Sequence, residues 1–229
     1  MRNEWKAIKT LLQQSCCKKK WLWSAAFICL GIVWKILSLS GRPEVAEDFS
    51  PLFFAVAGIM PMEILLVNDI SGFVKGSVLR KKIQTTMATK SMFAGTMIAY
   101  LMYLAFLMIL GSVREGQPEV YLRPTLVYGV GVCFLGIVNV FLYKFFWASL
   151  AGIYVICFSA GFAMGLFEDQ IDFAGYWEKL SPVGCVIAAV FLIFAGCAIN
   201  LVMTRIFYKR NFSKNAFGAS MRKLADLKK

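Results

Sequence analysis

Polar and apolar residues come in blocks along this chain rather than alternating. Six apolar runs, at 21–39, 51–67, 91–110, 124–142, 146–166 and 183–203, are separated by polar segments. Each has roughly the twenty residues that a helix needs to cross a hydrocarbon layer of about 30 Å. The pattern predicts an all-α integral membrane protein with six transmembrane helices. The stretch 124–167 holds one charge, Lys144, and is too long for a single crossing. It divides most naturally near Tyr143-Lys144-Phe145, with Lys144 facing the cytoplasm. Pro61 and Glu63 interrupt the second run, and a proline inside a helix kinks it. Lys35 lies one turn from the far end of the first run, where its ammonium group can snorkel outward.

The segments between the runs have their own patterns. At 1–20, Trp5, Ile8, Leu11, Leu12 and Ser15 share one helical arc, and Lys6, Lys9, Thr10 and Gln13 fall on the opposite one. This predicts an amphipathic interfacial helix ahead of the first span. Ser38-Leu39-Ser40 has the small-x-small form of a signal cleavage site, but the polar region before it is long and Lys35 interrupts the apolar run. The first run is therefore read as a span. The stretch 68–90 is the only long, basic internal segment, with five Lys/Arg against Asp69. There Leu79, Ile83 and Met87 recur every fourth residue, predicting a short amphipathic helix with Arg80, Lys81, Gln84 and Thr85 off its apolar face. The segment 167–182 combines four acids with Phe173, Tyr176 and Trp177, as in a segment lying on a membrane surface. The tail 204–229 is basic.

Charge fixes the orientation. Segments on the side of the N-terminus hold twenty Lys/Arg and those on the other side four, while nine of the thirteen acids lie on that other side. The positive-inside rule then puts both termini in the cytoplasm. Composition agrees: 59% of residues are hydrophobic, and the mean hydropathy is +0.66, more apolar surface than one soluble core hides. The net charge of +12 flanks the apolar runs, which points to membrane orientation and away from nucleic acid.

Candidate chemistry is sparse. The chain has no histidine, so the commonest general base and metal ligand are missing. Seven cysteines form no Cys-x-x-Cys pair, and five sit inside apolar runs as small buried groups. Cys16 and Cys17, beside Lys18–Lys20, are either plain juxtamembrane thiols or acylation sites. No phosphate-binding loop, HExxH or GxSxG motif is present, so no cofactor, no metal and no catalytic group is assigned. Glu63 is an ionisable group within a span, marking either a pathway or a carboxylate near the inner interface, reached by water or paired with Arg80 or Lys144. Asn139 and Asn200 read as interhelical hydrogen-bond glue. Gly161-x-x-x-Gly165 and Gly95-x-x-x-Ala99 permit close helix packing, internally or at a dimer face.

The run Gly72-Phe73-Val74-Lys75-Gly76-Ser77, then Arg80-Lys81-Lys82-Ile83-Gln84-Thr85, resembles the cytosolic segment of small bacterial type-2 ABC exporter permeases. The interfacial helix, six spans and inside termini resemble that family across the whole chain. The resemblance implies a permease subunit of the cytoplasmic membrane, paired with a separate ATP-binding subunit and with a second permease chain, identical or related. It also implies that Leu79, Arg80, Lys81, Ile83, Gln84 and Met87 form the ATPase-coupling element, and that the cargo is a lipid, peptide or drug-like molecule. Many family members carry a proline near Val78 or Ala88, which this chain lacks. The alternative is a non-transporting membrane scaffold, sensor or peptide-immunity protein of the same topology.

Overall fold

The computed structural model describes residues 18–39, 48–68, 80–114, 122–167 and 179–209, and every regular element among them is a helix. In chain order these are α1 (Lys18–Leu39), α2 (Ser50–Asn68), α3, α4 (Thr125–Lys144), α5 (Phe146–Phe167) and α6 (Pro182–Phe207). Helix α3 runs without a break through Arg80–Lys82, a wide π-turn at Ile83–Met87, and Ala88–Arg114. The expected interfacial helix up to residue 17, Leu79, the acidic segments at 40–47 and 168–178, and the tail from 210 lie outside the described residues. So do the side chains around Gly161 and Gly165.

Four helical stretches are long and apolar enough to cross a membrane: Lys20–Leu39, Arg80–Val113, Thr125–Lys144 and Pro182–Phe207. Ser50–Leu66 and Phe146–Val155 are apolar but shorter over the described side chains. The 34 residues of Arg80–Val113 reach about 50 Å, well beyond a hydrocarbon core. Lys82 and Lys90 mark a polar boundary in the sequence, yet the helix passes straight through them. The expected short amphipathic helix is therefore the first turns of α3.

Local sequence sets the helix ends. Asp48 Oδ1 accepts the Ser50 amide at 3.1 Å ahead of Pro51, closing the start of α2. Ser181 caps α6 by accepting the Gly184 amide at 3.4 Å, with Pro182 at the first helical position. Between α4 and α5 the chain leaves helical geometry at one residue, Phe145, with φ −138° and ψ 54°. That is the division expected at Tyr143-Lys144-Phe145.

Helix α2 is the centre of the bundle, packed by α1, α3 and α4; α4 and α6 pack along their lengths, α6 also meets α3, and α5 packs on α4. Lipid tails give helices no hydrophobic reason to associate, so close approach and interhelical hydrogen bonds must hold them. Both are present. Gly58 of α2 faces Gly95 of α3, where an added Cβ on either would strike the other helix's backbone. Asn200 donates to the Gly136 carbonyl at 3.0 Å and accepts from Thr89 at 3.2 Å, tying α6 to α4 and α3. At the centre Phe54, Tyr103, Tyr128 and Tyr100 form a chain of ring contacts. Each tyrosine hydroxyl is bonded: Tyr103 to Ser50 Oγ at 3.2 Å, Tyr128 to the Thr96 carbonyl at 2.6 Å, Tyr100 to the Val186 carbonyl at 3.1 Å. Unbonded, those groups would each cost several kcal/mol in lipid.

Candidate functional site: a buried polar network at the basic end

The end of the bundle where α1 and α3 begin and α2, α4 and α6 finish is the basic end. Two linked polar pairs lie there. Lys20 of α1 bonds Glu63 Oε2 of α2 at 2.6 Å, with side-chain exposures of 32% and 15%. Tyr143 of α4, buried, lies beside Glu63. The next residue, Lys144, is buried and donates to Gln84 Oε1 of α3 at 3.1 Å. Tyr143 and Lys144 thus bring the end of α4 to both pairs, where four helices meet. Lys144 closes the C-terminal turn of its helix, where a cation is favoured by the peptide dipoles.

This corrects the expected partners of Glu63. Neither Arg80 nor Lys144 is the ion-pair partner the structure gives it; Lys20 takes that place because α1 lies antiparallel along α2 and brings its first turn to the depth of Glu63. Lys144 does not face open water, being held inside against Gln84. Depth matching between adjacent antiparallel helices would have suggested the Lys20–Glu63 pair.

The π-turn explains a second difference. A π-turn fits an extra residue into a helical turn, so the every-fourth-residue arithmetic slips. The Ala88 amide reaches back to the Ile83 carbonyl, and Ile83, Gln84, Thr85 and Met87 are all buried. Gln84 and Thr85 therefore point inward, contrary to the sequence pattern. Thr85 Oγ1 satisfies itself on the Lys81 carbonyl at 2.7 Å. Lys81 is exposed and Arg80 half-buried at the start of α3.

At the far end Lys35, expected to snorkel, is buried and bonds Asp48 at 2.5 Å. Asp48 lies just ahead of α2, close enough that the lysine need not reach outward. Between the ends, a cleft of about 320 Å³ opens among α1, α2 and α3, lined by Trp21, Ser24, Ile28, Pro61, Gly95 and Met102 among others. Gly95 serves an internal contact between α2 and α3. Asn200 is interhelical glue as expected, and Asn139 is buried. Among the described residues no three His, Cys, Asp or Glu gather as metal ligands.

The network offers fixed charges and an amide on four helices, an arrangement suited to holding or shifting helices against one another. No protein-family model, curated protein or solved structure matches this chain. Fold and site together define an all-helical, membrane-associated protein with four helices long and apolar enough to cross a membrane and a partly buried polar tie at one end.

Proposed function

We propose that this chain is the permease subunit of an ABC exporter, moving a lipid, peptide or drug-like cargo with energy from a separate ATP-binding subunit. Six spans, both termini inside and the basic end toward the cytoplasm complete the reading, in a bacterial cytoplasmic membrane and as a dimer with itself or a related permease. The observation that carries it is the continuity of α3. From Arg80 onward a single helix leads from the basic segment into the bundle, and its π-turn hands Gln84 to Lys144. A push on that segment would reach α4 through this bond and α2 through Tyr143 and Glu63. Such coupling works only if the element holds different contacts in two states.

The burial of Ile83 and Met87 favours a second reading, the non-transporting scaffold or sensor, because neither side chain is presented to a partner. Under the exporter reading the docking surface falls instead to 69–79 and the exposed start of α3. One experiment separates the two. The tagged chain is purified in mild detergent from its native membrane, and a stoichiometric subunit with a phosphate-binding loop and vanadate-sensitive ATPase activity is sought. The exporter reading expects that subunit, and expects its loss when Lys75, Arg80 and Lys81 are all changed to Ser. Purification of the well-folded chain with no such ATPase sinks the exporter reading.

A further inference from the structure

At the basic end, apart from the network, the first turns of α3 and the last turn of α6 enclose a recess of about 470 Å³. It is lined by Lys81, Lys82, Thr85, Thr86, Arg205 and Tyr208. Three cations share one hollow, and no carboxylate among the described residues lines it. The two carboxylates among the described residues, Asp48 and Glu63, are engaged with Lys35 and Lys20. Lys81 is held in place, its ammonium 4.9 Å from the centre of the Tyr208 ring. The like charges of Lys81 and Arg205 repel, and a cation such as Lys81 in the first turn of a helix also opposes its dipole. A bound anion reverses both terms.

We infer that this recess binds a phosphate-bearing anion, the headgroup of an anionic membrane lipid. Charge selects the anion, and position selects the source. Helices α3 and α6 are both long and apolar enough to cross a membrane, and the recess lies at their shared end. Lipid phosphates occupy that level, and basic pockets between transmembrane helices are suited to them. Arg205 can grip two phosphate oxygens in a fork, Lys81 adds a point charge, and the Thr86 and Tyr208 hydroxyls are further donors at the recess. The inference rests only on residence in a membrane, and holds whether or not the chain transports anything.

The test uses the full-length protein in nanodiscs of phosphatidylcholine with and without phosphatidylglycerol. Bound lipid is read by native mass spectrometry and stability by thermal unfolding. The wild type is expected to retain phosphatidylglycerol over phosphatidylcholine and to unfold at a higher temperature in its presence. Lys81→Gln with Arg205→Gln should lower that retention about ten- to thirty-fold, at roughly 1 kcal/mol per basic residue near a charged surface. Lys179→Gln, at the other end of α6, should leave it unchanged. Lys81→Arg with Arg205→Lys should preserve binding, which separates lost charge from lost fold. No preference for phosphatidylglycerol in the wild type overturns the inference, as does undiminished retention in the double Gln protein. Displacement of the lipid by millimolar inorganic phosphate overturns the lipid source, leaving a soluble anion as the occupant.

Discussion

Ser24 donates its hydroxyl to the backbone carbonyl of Ala57 at 3.1 Å, across from α1 to α2. That carbonyl is the one Pro61 leaves without a partner, because a proline four residues on has no amide hydrogen. In lipid no water can take the place, so a neighbouring helix must. The carbonyl that Pro61 frees thus serves as a docking point for α1.

The relationship predicts a coupling. Ser24→Ala should cost about 0.5–1.5 kcal/mol in the wild type, the usual net worth of such a bond. In a Pro61→Ala background, where residue 61 regains an amide to reach Ala57, the same change should cost almost nothing. Thermal unfolding in detergent of the four proteins measures this cycle, and equal costs in both backgrounds would disprove the link.

A second prediction concerns Gly95. A Cβ there would run into the Gly58 carbonyl and lie 2.9 Å from the Pro61 ring. Backbone cannot yield as a flexible side chain can, so Gly95→Ala should destabilise by about 1–3 kcal/mol. Gly152→Ala is the control, since nothing lies within 4 Å of its added methyl. Similar stability in the two variants would mean that α2 and α3 do not approach as closely as described.

Much of this fold is legible in the sequence, and what is hidden has physical causes. Block patterning marks where the helices lie, and the single charge at Lys144 marks the break between α4 and α5. Long apolar helices look alike from any side, so the pattern does not say which faces meet. Glu63 stands out as an ionisable group in a span, but its partner lies 43 positions away, where only the packing of α1 on α2 selects Lys20. The inward turn of Gln84 and Thr85 was hidden differently. Stripe-counting assumes 3.6 residues per turn, and the π-turn at Ile83–Met87 breaks that assumption. Lys35 was misread because snorkelling was weighed without Asp48 waiting beside it.

The third prediction follows from the buried amide–ammonium bond. Gln84→Leu removes an acceptor from Lys144 and should cost about 1.5–3 kcal/mol, the range for hydrogen bonds to charged groups. Lys144→Met in addition should restore part of that loss, because an apolar pair leaves no charge to satisfy. The double variant is expected to be more stable than Gln84→Leu alone, as read by thermal unfolding in detergent. A double variant that is less stable than either single one would show that Lys144 does not depend on Gln84.

The last prediction concerns Glu63, where two contacts of different character meet. Lys20 is about a third exposed, so water screens its attraction for the carboxylate, and such pairs are worth roughly 0–1 kcal/mol. Tyr143 is buried and lies beside the same group. Glu63→Gln keeps a carbonyl oxygen that the Tyr143 hydroxyl can reach, and gives up only the screened attraction. Its stability should therefore fall by less than about 1 kcal/mol. Glu63→Leu puts an apolar side chain against the buried Tyr143 hydroxyl in place of a carboxylate, at a cost of about 1–3 kcal/mol. Adding Tyr143→Phe should then cancel most of the difference between Leu and Gln. Thermal unfolding of the Gln, Leu and Leu/Phe proteins tests the order, and a Leu variant as stable as Gln would remove Tyr143 from the network. The Gln variant also probes the role of the charge, since its fold is expected to survive. If the chain is an exporter permease, as proposed, and Glu63 helps to pass movement from α3 through α4 to α2, the variant should keep the ATPase subunit and lose much of the cargo-stimulated ATP hydrolysis. Full stimulation in Glu63→Gln would reduce Glu63 to a stitch between α1, α2 and α4.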